Sequence, residues 1–238
     1  MLKIRSGLRR RAATKLAGAV SATGLVVAGL VVLGPAGPAG AACSTTIGLP
    51  ARISVTGPYQ EVKVPLHTSC TGLVDANADL YGPAGWETSF DWQPATNGRN
   101  AYLDVYGQSY YETATGSYHT RDGYAYDGNY NERALPEART TVKLGSKVGI
   151  SATRSGGWAH VHFTTWRYYT RYEGFYRGGG AQVDVSYLVG GKWKWISSPT
   201  SDRTGAGSVS FRTNDAHTYS VCVRERTYVW RSCNTIRT

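Results

Sequence analysis

The sequence predicts an all-β protein built from two tandem antiparallel sandwiches, and three observations carry that prediction. Apolar and polar residues alternate with a period of two through most of the chain. Clusters of Gly, Pro, Asn and Asp punctuate those runs at short intervals, as turns between strands require. After the first 42 residues almost nothing reads as helix. The composition agrees: 29 glycines and 17 tyrosines against a single methionine suit pleated strands joined by tight turns.

The second half gives the clearest elements. Val148, Ile150 and Ala152 alternate early, followed by Val183, Val185 and Tyr187, then Val209 and Phe211, then Tyr219, Val221 and Val223. Polar residues stand between them, so each run has one buried and one wet face, as in an antiparallel sheet. GGG at 178–180, GG at 190–191, SDRTGAG at 201–207 and NDA at 214–216 separate the runs. About seven strands in roughly 100 residues is the rhythm of an immunoglobulin-like sandwich. In the first half Ile53 and Val55, Val62 and Val64, and Leu103 and Val105 alternate in the same way, with turn clusters at 82–85 and 97–100, so a second sandwich is expected there.

One stretch carries a resemblance. KWKWISSPTSDRTGAGSVSFRT, followed by HTYSVCV, places Trp193 before a Ser201-Asp202-x-x-Gly205 turn, Phe211 at the end of the next strand and Tyr219 in the one after. This pattern resembles the second half of immunoglobulin-like modules of secreted, actinobacterial-type proteins, over about the last 60 residues. TGSYHTRDGY at 115–124 is similar to the same Gly-x-Tyr strand more loosely. The resemblance implies an extracellular module, a fold that hosts adhesion, carbohydrate binding and spacing alike and so fixes no single role.

The N-terminus reads as an export signal. Lys3, Arg5, Arg9, Arg10, Arg11 and Lys15 form a basic region with no acidic residue, Leu16 to Leu33 is apolar but broken by Gly18, Gly24 and Gly29, and GPAGPAGAA supplies a small-residue exit. Cleavage is expected within a residue or two of Cys43, which gives residues 1–42 as signal peptide and a secreted chain with no membrane span. Ala12, Ala13 and Thr14 after the Arg10-Arg11 pair do not suit a twin-arginine signal, and Gly40 does not suit a lipoprotein site at Cys43.

Cys43, Cys70, Cys222 and Cys233 remain, an even set in an exported chain, so disulfides are expected. Of three pairings the local one, Cys43–Cys70 with Cys222–Cys233, is preferred, because CVRERTYVWRSC suits a hairpin stapled across its two arms. Charge divides the chain further. Residues 43–138 carry five Lys and Arg against eleven Asp and Glu, and residues 139–238 carry fifteen against five. That break, the LPEART stretch at 135–140 and one cysteine pair on each side divide the chain into an acidic domain at 43–138 and a basic one at 139–238.

No motif for a nucleophile, a phosphate loop, a zinc protease or a dinucleotide is present, so no catalytic residue and no cofactor are expected. His160 and His162 share the outer face of one strand, without an acidic or cysteine ligand nearby in sequence. DGYAYDGNYNE at 122–132 offers oxygens at alternate positions, but Glu132 stands where a calcium loop of the EF-hand kind needs Gly, and Ala138 where it needs Glu. A strand from Ser117 to Asp127 turning at Asp127-Gly128 is the expectation, with a calcium site of another kind from Asp122, Asp127, Asn131 and Glu132 as the alternative.

The feature that points to a partner is the interleaving of arginines and aromatics in TTWRYYTRYEGFYR and RERTYVWR. Trp166, Arg167, Tyr169, Arg171, Arg224, Arg226, Tyr228, Trp230 and Arg231 form the expected binding surface, through guanidinium–anion pairs and ring stacking. Period-two alternation sets Trp166, Tyr168 and Tyr172 on the opposite face from Arg167, Tyr169 and Arg171. If Cys222 faces Cys233, Arg224 faces Arg231, and an anion, a carboxylate or water must relieve the two charges. Trp193 and Trp195 share one face and read as core or sandwich edge. The expected function is therefore a non-enzymatic module protein that binds an anionic cell-envelope or matrix polymer, or a partner protein, with no specific nucleic acid. Head-to-tail self-association of acidic on basic modules and hydrolysis of an extracellular polymer are the alternatives.

Overall fold

The computed structural model describes residues 43–96 and 98–238, so the leader read at 1–42 lies outside the described residues. The chain is all-β. In the first sandwich, β1 (Thr45–Ile47), β3 (Tyr59–Thr68) and β6 (Asn100–Tyr106) form a three-stranded antiparallel sheet. It faces a larger sheet of β2 (Arg52–Val55), β4 (Leu73–Gly82), β5 (Gly85–Trp92), β7 (Gly116–Asp127), β8 (Glu132–Ala134) and β9 (Arg139–Leu144). The order in that sheet is β2-β9-β7-β4-β5, with β8 added to β7. Alternation decides the core. Val64 and Leu66, Leu103 and Val105, Ala76, Ala78 and Leu80, and Phe90 and Trp92 all point between the sheets. The Trp92 indole donates to the Val64 carbonyl at 2.8 Å, so its one polar atom is satisfied inside the core.

β9 runs parallel to β2 and antiparallel to β7, and its Val142 is buried in the first core. The sequence boundary at 138/139 therefore falls before a strand that the first sandwich uses. With β9 and its Arg139 and Lys143 counted there, the charge split is −4 against +8.

In the second sandwich, β10 (Ser146–Ser155) pairs along the length of β11 (Trp158–Tyr169). On the other side of β11 lie β15 (Ala206–Arg212) and β12 (Gly174–Arg177), one on each half. The facing sheet has β13 (Val183–Val189), β14 (Lys192–Ser197), β16 (Thr218–Val223) and β17 (Ser232–Arg237) in the order β14-β13-β16-β17. Val148, Val161, Phe163, Val183, Val185, Tyr219 and Val221 fill its core. The Ser201–Gly205 turn forms as its residues suggest: Asp202 Oδ1 accepts the Thr204 and Ala206 amides at 2.8 and 2.9 Å.

β11 serves both cores. Ala159, Val161 and Phe163 bury their side chains in the second core, whereas Tyr168, of opposite parity, is fully buried in the first. Successive side chains on a strand point to opposite faces, so one long strand can give its first half to one core and its end to another. The Tyr168 hydroxyl donates to the Gly107 carbonyl at 2.9 Å, and Phe175 packs edge-on against the Tyr168 ring. A Cβ at Gly107 would collide with this ring and with the Gly57 carbonyl, and one at Gly145 would press on Thr56 and Phe175.

A second tie comes from the loop between β16 and β17. The Leu144 amide donates to the Tyr228 carbonyl at 2.9 Å, and the Trp230 amide to the Leu144 carbonyl at 3.0 Å. Trp230 is buried, its indole donates to the Ile53 carbonyl at 2.7 Å, and the Arg52 guanidinium lies over its ring at 3.9 Å. The bridge Cys222–Cys233 joins register partners of β16 and β17 and fixes the base of this loop, and Cys43–Cys70 closes the start of the first sandwich.

Two local expectations change. β7 ends at Asp127 as read, but the turn is not a two-residue Asp-Gly turn. The loop spans Asp127 to Asn131, Tyr130 holds φ of 60°, and Asp127 Oδ1 accepts the amides of Asn129 and Asn131. Tyr172 does not continue the face of Trp166 and Tyr168, because the chain leaves the strand at Tyr169 and makes a 3-10 turn over Thr170–Tyr172.

The two ties predict a single cooperative unfolding transition for residues 43–238. Trp230→Ala should cost about 3–5 kcal/mol and Tyr168→Phe about 1–3 kcal/mol, because each removes or orphans a buried group. Urea unfolding followed by tryptophan fluorescence and by far-UV dichroism checks both: coincident curves are expected in the parent, and separated curves in Trp230→Ala.

Candidate functional site

The structure divides the predicted surface residues into three groups. Trp230 belongs to the junction, and Trp166 is half-buried with its ring over Gly149 of β10. Neither offers a free aromatic face. Arg224 and Arg226 are occupied internally. Arg224 Nε donates to both carboxylate oxygens of Asp184 at 2.8 and 3.0 Å and Nη2 to Ser198, while Arg226 donates to the Gly180 carbonyl. Asp184 is the carboxylate that relieves the Arg224–Arg231 pair. Arg224 holds its carboxyl below the usual range, with Ser198 and Arg231 adding to the effect. Arg231 itself is exposed.

The third group forms a continuous surface. Arg167, at the end of β11, lies with its guanidinium 4.4 Å from the centroid of Tyr169 and 5.6 Å from that of Tyr228, and donates to the Tyr228 hydroxyl at 3.3 Å. Tyr169 meets Tyr176 edge-on at 6.3 Å, Tyr176 meets Tyr172 at 5.0 Å, and the Arg171 guanidinium lies 5.6 Å from the Tyr172 ring. Tyr172, Tyr176 and Tyr228 are exposed, at 54, 49 and 40%. The sequence reading did not single out Tyr176, and it set Tyr172 on the face of Trp166 and Tyr168, opposite Arg167 and Tyr169. Their signal was the local turn: Glu173 in the left-handed region, at φ 50°, reverses the chain so that β12 lays Tyr176 beside β11 opposite Arg167.

Position in the fold fixes this surface. Tyr168 is anchored in the first core directly between Arg167 and Tyr169, and Val229 and Trp230 are buried immediately after Tyr228. The exposed rings therefore stand on strand ends whose neighbours are locked. Two further exposed aromatics, Trp193 and Trp195, lie elsewhere, on the edge strand β14, where an edge rather than the core accounts for their alternation.

The other expectations for chemistry resolve plainly. His160 and His162 are on the outer face of β11, and His160 Nδ1 lies 2.8 Å from Ser210 Oγ. Among the described residues no group of three or more His, Cys, Asp or Glu gathers into a metal-binding arrangement. In DGYAYDGNYNE the Asp127 carboxylate instead accepts the backbone and side chain of Asn131 and the amide of Asn129, which lower its pKa. An acidic cleft of about 530 Å³ lies between β5 and β6, lined by Glu87, Asp104, Glu112, Tyr102, Tyr106 and Tyr111 among others, and burial raises the Glu87 carboxyl.

No family model matches this chain, and no curated protein matches it. Among solved structures, the fibronectin(III)-like modules of Clostridium thermocellum CbhA align at 14% identity over 81% of this chain and 92% of theirs, with a TM-score of 0.38. A two-domain fibronectin type-III segment of chicken tenascin aligns at 11% identity over 82% of this chain and 98% of that one, with a TM-score of 0.37. A tetra-tandem repeat from the extending region of a large adhesion protein aligns at 13% identity and a TM-score of 0.32, and this chain spans about half of it, 48%. At these scores the likeness informs neither ligand nor site.

Two titrations follow. Asp184→Asn should lower the melting temperature at pH 7. The difference should shrink as pH falls below about 4, since a depressed carboxyl gives stability present above its unfolded pKa and lost as pH falls through its folded one. Glu87 has the opposite sign: its charged form is penalised in the fold, so Glu87→Gln should raise the melting temperature at neutral pH and have little effect below about pH 4, where the carboxyl is protonated folded and unfolded alike. Calorimetry of each variant from pH 2 to 8 checks both.

Proposed function

We propose that this is a secreted, non-enzymatic binding protein of two immunoglobulin-like modules, whose basic C-terminal module contacts an anionic cell-envelope or matrix polymer. Its two disulfides and all-β modules suit the extracellular space. One observation carries the reading: half-exposed Arg167 lies over Tyr169 and donates to the Tyr228 hydroxyl, and Tyr176, Tyr172 and Arg171 continue the run of cations and rings to its exposed end. Such a run suits a flexible polyanion. The guanidinium groups supply charge, the rings supply faces for sugar C–H groups or acidic planes, and no deep pocket is needed. The net charge of the surrounding module steers an anion towards it at low ionic strength.

Attraction between the oppositely charged halves is not what joins the sandwiches, which leaves the charge split to an external partner. The junction is made by Tyr168, Phe175, Val229 and Trp230, and its ion pair, Lys143 with Glu225 at 2.6 Å, runs against the global split, with the cation on the acidic side.

Chromatography on heparin and on polygalacturonate tests the proposal. The purified protein should be retained at low salt and released at moderate salt, as screening of exposed charges requires. Arg171→Gln and Tyr176→Ala should each weaken retention about two- to fivefold, the range for loss of an exposed cation–ring contact. Free passage of the parent protein at low salt on both resins would overturn the reading.

A further inference from the structure

The edge strand β14 carries two tryptophans outside the run of Arg and Tyr. Trp193 and Trp195 stand opposite Leu188 and Ser186 of β13, whereas Tyr187, between those two, packs against the second core. Both rings are therefore on the outer face of the sheet, 49 and 65% exposed. Trp195 is nevertheless held in place. Its indole donates to Ser198 Oγ at 3.0 Å, Arg224 Nη2 donates to the same oxygen at 2.9 Å, and Ser198 in turn donates to Asp184. A serine hydroxyl has one donor and two acceptor sites, and here all three are filled. The hydroxyl cannot rotate without losing a bond, so the indole is tied down by its edge while its ring remains exposed.

From this arrangement we infer that β14 carries a second binding site, a stacking platform for a neutral chain of hexopyranose sugars with equatorial hydroxyls. The site is separate from the polyanion contact proposed above and stands without it. Such sugars present flat C–H faces that pack on an indole, with their hydroxyls at the rim. The Trp195 N–H is already spent on Ser198, so the ring face is what this residue offers a ligand. Charge complementarity favours a neutral ligand. Asp184 and Arg224, on the same face, are paired at 2.7 Å, and Ser186 and Ser220, in register across the sheet, add hydroxyls beside Trp195. Lys192 and Lys194 alternate with the rings along the edge, where charged side chains oppose the addition of a strand from another chain. Two residues along a strand set the rings about 7 Å apart. A chain reaching across both is the fitting ligand, rather than a single sugar.

Isothermal titration calorimetry of the purified protein with cellohexaose tests the platform. Binding should be saturable, and glucose and the coiled α-linked maltohexaose should give none over the same range. Trp195→Ala and Trp193→Ala should each weaken it about two- to tenfold without moving the melting temperature, since both rings are exposed. Ser198→Ala keeps both rings but releases the indole, and should weaken binding as well. The affinity should be the same at low and moderate salt and in Arg171→Gln, which separates this site from retention on the anionic resins. No saturable binding of cellohexaose, or binding that survives both Trp substitutions, would overturn the platform and leave the polyanion reading standing. A flat cellohexaose titration, with co-sedimentation on phosphatidylcholine vesicles that is lost in the same two variants, would overturn the sugar in favour of a lipid surface.

Discussion

The contact between Tyr168 and the first sandwich is the constraint on which the rest of the molecule depends. Tyr168 sits at the end of a strand that has already committed its odd-numbered residues to the second core, and it enters the first core because its parity is even. Its hydroxyl finds the Gly107 carbonyl, and Gly107 and Gly145 leave the room that any Cβ would take. The ends of β11 and β12 are thereby held, and with them the spacing of Arg167, Tyr169 and Tyr176. The 224–231 loop repeats the device from the other side, with Trp230 inserted beneath Arg52 and the Cys222–Cys233 bridge at its base. The same residues thus hold the two sandwiches together and set the spacing of the exposed run.

Much of the fold was legible in the sequence because period-two alternation speaks directly about burial. The runs at 148–152, 183–187, 209–211 and 219–223 are strands with the expected inner residues, and the hairpin cysteines are register partners. Alternation says which side of a strand is buried but not by what. At the end of β11 the alternation separated Tyr168 from Arg167 and Tyr169, while which face is buried, and that a different core receives Tyr168, was invisible. The boundary at 138/139 was drawn from the charge break, the LPEART stretch and the cysteine pairs, none of which says that β2 and β7 lie against β9.

The exposed run was half legible. Interleaved Arg and Tyr mark the segments that build it, yet Trp230 is buried and Trp166 half-buried, whereas Tyr176 and Tyr172, left out of the expected surface, are exposed. A left-handed turn at Glu173 makes the difference, and no propensity for it is written in a Glu. Arginines face the same ambiguity. Arg224 looked like a free cation facing Arg231, but its partner Asp184 lies 40 residues away in sequence on the neighbouring strand. What distinguishes Arg167 from it is the lack of such a carboxylate, a property of the folded chain alone.

Hydrogen exchange at the junction tests the central claim most directly. The amides of Leu144, Tyr168 and Trp230 donate across it, to Tyr228, Gly145 and Leu144, and the Trp230 indole donates to Ile53. If the two sandwiches form one body through these ties, the four protons exchange as slowly as core amides such as those of Val161 and Val221, through global unfolding alone. Exchange at the rate of loop amides, with both cores still protected, would mean that the sandwiches move independently and that no fixed surface is built between them.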